Sequence, residues 1–203
     1  MLSIIFGSEA RVRIMRLFLF NGETIFDMDT ISNKSKVRKH ILKREITLLI
    51  KAKLIKRGVY VKLVQKKKRG KTVSEKVKTD GCYLNQDFPY ITALKQLLIK
   101  TKMLEGGEIV RRLSKAGKIK IVIVAGVFTQ DKDSRVDMFV VGNNVRKAVL
   151  NNVIKSMEAE LGKELVYVCF DTLDFQYRLG MNDKLIRDVL DYPHQVLLDK
   201  ISV

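Results

Sequence analysis

The chain has 203 residues, 46% of them hydrophobic, and carries 39 Lys+Arg against 22 Asp+Glu for a net charge of +17. That length can bury one large core or two small ones, and two small ones are expected; no apolar run is long enough to span a bilayer, and MLSIIFGSEAR lacks a basic leader and a small-residue cleavage site, so the cytoplasm is expected. Cys82 and Cys169, like His40 and His194, stand apart from one another, so no metal cluster is spelled out and no cofactor is expected.

The charge is unevenly placed. Residues 1 to 80 hold 21 Lys+Arg against 7 Asp+Glu, whereas residues 81 to 203 hold 18 against 15. A basic first half joined to a near-neutral second half points to a polyanion partner for the former.

In chain order, Ser8 can cap a helix with Val12, Met15, Leu17, Phe18 and Leu19 on a broad face, ending at Asn21-Gly22. A short helix is predicted from Asp27, its cap, to Lys34, with Met28 and Ile31 inward. From Lys39 to Lys53 the spacing of Leu42, Ile46 and Leu49 predicts an amphipathic helix with Lys39, Lys43, Arg44 and Lys51 elsewhere on its circumference. Two β-like stretches, Val59 to Gln65 and Lys76 to Leu84, flank the loop segment KKKRGKTVSE, where Lys66, Lys67, Lys68, Arg69 and Lys71 surround Gly70.

Three helices and a hairpin in this order predict a winged helix-turn-helix. The segment TISNKSKVRKHILKREITLLIKAKLIKRGVYVKL resembles bacterial and archaeal winged-helix regulators: Ile31-Ser32 stands where they have Leu-Ala, Val37 lies in the turn, and Ile46, Leu49, Ala52, Leu54 and Ile55 match their helix ending. Lys53 replaces the usual glycine there. A helix of this width fits the major groove while hairpin cations neutralise flanking phosphates. On this reading double-stranded DNA is the partner, Arg38, Lys39, His40, Lys43 and Arg44 lie near the groove, and Lys66, Lys67, Lys68, Arg69 and Lys71 supply affinity rather than sequence choice. An anionic membrane is disfavoured, since the basic helix needs its apolar face for the core.

Gly7-Ser8 together with Asp27-Met28-Asp29 mimics a nucleotidyltransferase signature, but a complete helix lies between the two, so both are better explained as helix entries. The stretch NQDFPYITALKQLLIKTKML predicts a linking helix and resembles the connector of regulators that carry a C-terminal nucleotidyltransferase domain.

Beyond it, helices are expected near Gly107 to Ala116, Val145 to Leu161, Thr172 to Leu179 and Asp183 to Leu190. Strands are expected at Lys118 to Ala125, Arg135 to Gly142, Glu164 to Phe170 and Gln195 to Leu198. This order resembles the minimal nucleotidyltransferase fold of the polymerase-β superfamily over most of residues 104 to 203. The resemblance implies a Gly-Ser turn and two aspartates in alternation, but Gly126-Val127 and Arg135-Val136-Asp137 stand in those places, with Tyr167, Val168 and Cys169 where a third carboxylate would project. Metal-assisted transfer needs carboxylates to hold two divalent ions, and a guanidinium beside them repels the metal, so catalysis is expected to be lost. Asp131 and Asp133 point differently from a strand residue and are not expected to rescue it. Arg135 has three readings: an internal ion pair or exposed strand-end charge, which is favoured; a closing pair with Asp137; or a metal-free seat for a nucleotide phosphate.

The resulting expectation is an α/β two-domain (α+β) protein: residues 1–86 a winged helix-turn-helix, 87–103 a linking helix, and 104–203 an inactive nucleotidyltransferase-like mixed sheet with helices. It is read as a sequence-specific DNA-binding transcriptional regulator whose second domain serves dimerisation, partner contact or ligand sensing, with a homodimer expected because paired half-sites favour one. The alternatives are an active metal-dependent nucleotidyltransferase targeted by its winged helix, and an antitoxin-like or RNA-binding partner protein.

Overall fold

The structure, a computed structural model, describes residues 2–68, 71–99, 104–131 and 133–201, with only the backbone described between 64 and 74. It is mixed α and β, with nine α-helices and two separate sheets among the described residues. No described helix is long and apolar enough to cross a membrane. Contacts gather the chain into two compact units, Met1–Ile99 with Ala159–Lys163, and Lys100–Glu158 with Glu164–Val203.

In the first unit, α1 spans Leu2–Ile5, α2 Glu9–Phe20, α3 Met28–Ser35 and α4 Lys39–Lys51; the paired strands β1, Ile55–Lys68, and β2, Lys71–Leu84, precede α5, Ile91–Leu98. Both expected caps are formed: the Ser8 hydroxyl accepts from the Arg11 amide at 3.2 Å and the Asp27 carboxylate accepts from the Thr30 amide at 2.7 Å. Helix α2 is buried on every residue from Ile14 to Leu19, more broadly than one amphipathic face. Phe18 meets Phe26 edge to face at 5.8 Å, and Ile31, Leu42, Ile46 and Leu49 of α3 and α4 complete the same core. Leu98 of α5 is also buried in it, so this segment packs into the first core rather than only linking.

Helix α4 ends at Lys51, short of the expected Lys53, because Lys53 turns left-handed at φ 63°. That turn lets the Leu54 amide reach the Leu49 carbonyl at 3.1 Å and the Lys53 amide the Ile50 carbonyl at 2.9 Å, satisfying helix-end acceptors. Lysine therefore occupies a backbone state that glycine adopts without strain. The chain then dives inward at Leu54 and Ile55 and enters the hairpin.

The hairpin is longer than expected. Strand pairing runs unbroken from Ile55↔Leu84 to Lys68↔Lys71, so most of KKKRGKTVSE is strand and not loop. A regular ladder satisfies every second backbone group whatever the side-chain charge, which composition-based turn signals do not register. At about 3.3 Å per residue each arm reaches roughly 45 Å. Phe26 adds a one-residue bridge to Cys82 with amide-to-carbonyl bonds of 2.9 and 2.8 Å, anchoring the hairpin base beside α3.

In the second unit, α6 is Gly106–Leu113, β3 Lys118–Val124, β4 Met138–Asn143, α7 Lys147–Leu161, whose last three residues count with the first unit, β5 Tyr167–Phe170, α8 Thr172–Gly180, α9 Lys184–Asp191 and β6 Gln195–Asp199. The sheet order is β5-β4-β3-β6, parallel only between β4 and β5. Ile121, Ile123, Phe139 and Val141 on one face form a core with Phe175 of α8 and Ile186 and Val189 of α9. Their neighbours Val122, Val124, Met138 and Val140 are buried too, so both sheet faces are covered.

Candidate nucleic-acid interface

Helix α4 divides sharply by burial. Leu42, Glu45, Ile46 and Leu49 face inward, while Lys39, His40, Lys43, Arg44, Thr47 and Lys51 are exposed. Buried Glu45 is neutralised by Arg11 of α2 at 2.7 Å, which keeps an acidic group off the outer surface. Arg38 occupies the N-cap position, exposed and without a side-chain capping bond. Lys39 is paired with Asp29 at 2.5 Å, both side chains largely exposed, a contact that solvent screens strongly. The structure thus brings Arg38, Lys39, His40, Lys43 and Arg44 onto the first turns of one exposed helix.

For the hairpin, Lys66, Lys67 and Lys68 lie at the distal end of β1 and Lys71 opens β2, opposite Val73, Thr72, Lys71 and Lys68 respectively. Arg69 lies outside the described residues, as does Gly70. Further exposed cations that the sequence reading did not single out, Arg57, Lys76 and Lys78, line the hairpin nearer its base. Lys78 and Lys76 stand directly across the ladder from Val61 and Leu63, a pairing with no local sequence signal.

One buried carboxylate fixes the hairpin to the helices. Asp27, 7% exposed, caps α3 through one oxygen and accepts from Tyr60 at 2.8 Å and Lys62 at 2.6 Å, both on β1, through the other. Burial alone would raise its pKa, but the bonds from Lys62, the Thr30 amide and Tyr60 together outweigh it and hold the carboxyl well below the usual carboxylate range. The Tyr60 hydroxyl is pushed up by burial and by its bond to Asp27, and Lys62 is pushed up by the same carboxylate. Sequence reading recognised the cap in Asp27, but its link to Tyr60 and Lys62 spans 33 and 35 residues and leaves no local signal.

The second unit contains the segment read as a degenerate transfer motif, and its geometry is closed. Gly126 sits at φ 55°, and a Cβ there would lie 2.3 Å from Asp137 Oδ1. Asp137 is 6% exposed. Its Oδ1 accepts from the Val127 amide at 2.8 Å and its Oδ2 from the Val166 amide at 2.9 Å, so both oxygens brace the backbone of neighbouring segments. Its own amide and that of Met138 donate to the Val166 carbonyl, and β4 begins at Met138, three residues after the expected Arg135.

Arg135 therefore lies ahead of the strand, 61% exposed, and pairs with Asp188 of α9 at 3.0 Å. The closing pair with Asp137 is corrected: Asp137 is occupied by amides and the guanidinium turns the other way. Of the favoured reading, an internal ion pair or an exposed strand-end charge, neither form is met as stated: Arg135 is exposed but precedes the strand, and its ion-pair partner lies 53 residues downstream, where the sequence did not indicate one. Asp131 Oδ1 accepts from the Asp133 amide at 3.0 Å, a local turn bond. Among the described residues no group of three or more His, Cys, Asp or Glu could hold a metal ion. Both cysteines are free, Cys82 buried and Cys169 exposed.

No protein-family model, curated protein or solved structure matches the chain, so neither resemblance gains a relative to lean on.

Proposed function

We propose that the protein is a DNA-binding transcriptional regulator of two domains, acting in the cytoplasm, that reads duplex DNA with α4 and grips the flanking backbone with the β1–β2 hairpin. The observation that carries this reading is the row of exposed cations on the first turns of α4 beside a hairpin whose distal end holds Lys66, Lys67, Lys68 and Lys71. Helix side chains can reach base edges in the major groove, whereas the hairpin cations supply salt-sensitive affinity. The pin at Asp27 supports it physically, since a long two-stranded arm positions charge usefully only if its base is held. A homodimer matching paired half-sites belongs to the same reading.

The second domain, resembling a nucleotidyltransferase, is proposed to serve assembly or partner contact without group transfer, because the one retained aspartate spends both oxygens on backbone amides. Binding is tested by fluorescence anisotropy with random duplex at several salt concentrations. Strong affinity loss with salt is expected, and neutralising Lys66 through Arg69 should lower the log–log salt slope by roughly 3 to 4. Salt-insensitive binding, or tighter binding to single-stranded RNA than to any duplex, would reject the reading. Incubation with labelled nucleoside triphosphates and Mg²⁺ or Mn²⁺ tests the second domain; transfer abolished by Asp137→Asn would restore the enzyme reading.

A further inference from the structure

Between α4 and the base of the hairpin lies a groove of about 630 Å³, lined within the first unit by residues of α3, α4, β1 and β2. Met28, Ile46, Val59 and Cys82 give it apolar walls, and Lys43 of α4 and Arg57 of β1 stand along it. Asp80, the cross-strand partner of Val59, is the one acid among the lining residues. Among the described residues, the side chains of Lys43, Arg57 and Asp80 enter no ion pair or hydrogen bond. Cys82 is buried, and burial pushes its thiol up, so this wall stays uncharged. The volume falls in the range of about 300–1,000 Å³ used by small-molecule sites, which are mostly apolar with few polar groups.

We propose that this groove binds a small amphipathic anion: a flat apolar body against Met28, Ile46, Val59 and Cys82, an acidic group between Lys43 and Arg57, and an N–H or O–H donor toward Asp80. The chemistry follows from the lining. Two unpaired cations call for an acid, the single acceptor calls for a donor, and the apolar walls reward surface that a bare phosphate or a phosphodiester does not have. Because Lys43 also belongs to the exposed row on α4 that is proposed to enter the major groove, an occupied groove withdraws one of those contacts, so ligand and duplex compete. That competition rests on the DNA reading given above, whereas occupancy of the groove does not.

Anilinonaphthalene sulfonate, with one sulfonate, one N–H donor and an apolar ring system, is the probe for the full chain. Saturable fluorescence enhancement is expected, weakened at least tenfold in the double variant Lys43→Ala/Arg57→Ala and in Thr47→Phe, which fills the groove from an exposed helical position. Val61→Ser, on the exposed apolar row of the hairpin, should bind the dye like the parent. Circular dichroism confirms that each variant stays folded. Equal dye binding by the double variant and by Thr47→Phe would overturn the site, showing adsorption elsewhere. In a second arm, the dye should release labelled duplex from the parent protein at concentrations where inorganic phosphate of equal ionic strength does not. Release by both alike would mean that the groove recognises only a free anion and would overturn the amphipathic assignment. Dye binding at the groove with no release of duplex would overturn the competition, and a protein that never holds duplex would fail the DNA reading while leaving the groove assignment to the first arm.

Discussion

Replacing Asp27 by Asn isolates what the buried carboxylate does beyond capping. Asparagine caps a helix about as well as aspartate, so the bond to the Thr30 amide survives, while the second oxygen becomes an amide that faces the donors Tyr60 and Lys62. A hydrogen bond to a charged group contributes about 1.5–3 kcal/mol, and the loss at Asp27 is expected to fall in that range. The pH dependence has a definite sign. Asp27 has a depressed folded-state pKa, so its contribution is complete above the unfolded carboxylate value of about 3.9 and is lost as pH falls through the folded value, below the usual range. Urea denaturation of parent and Asp27→Asn followed by circular dichroism should therefore show a gap at pH 7 that narrows steadily below about pH 4. A double-mutant cycle with Lys62→Met should show coupling between the two positions. Equal stability at pH 7, or a gap unchanged down to pH 2, would refute the argument that the ionised carboxylate pins the hairpin.

Other substitutions test other parts of the chain. Lys53→Gly relieves a left-handed lysine at φ 63° and should raise stability by about 0.5–1 kcal/mol, read as a higher urea midpoint. Gly126→Ala would force a Cβ to within 2.3 Å of Asp137 Oδ1 in a positive-φ turn; it should cost about 3 kcal/mol or more, seen as a loss of soluble folded protein or a Tm lower by several degrees. Arg135→Ala removes a guanidinium that is 61% exposed, so its pair with Asp188 should change stability by less than about 1 kcal/mol in the same assay.

Much of the first unit was legible because its signals are local. Ser8 and Asp27 cap within three residues, the apolar positions of α4 recur at helical spacing, and the exposed cations of that helix are simply what the inward face leaves over. The alternation of helices and strands after residue 104 was readable for the same reason, since buried strands such as β3 and β4 are near-continuous apolar runs. The hairpin was underestimated because lysine-rich composition reads as a loop, although strand pairing depends on backbone groups that all residues share.

What the amino-acid order determined alone is most of the helices and strands, the Ser8 and Asp27 caps, and the basic bias of the first eighty residues. Only the tertiary structure decided where the remaining charges are spent. It tied Asp27 to Tyr60 and Lys62, gave both oxygens of Asp137 to the Val127 and Val166 amides, and turned Arg135 toward Asp188. The physical reason is range: capping and periodicity act over a few residues, while a buried carboxylate takes whichever donors the folded chain brings within about 3 Å, however distant in sequence.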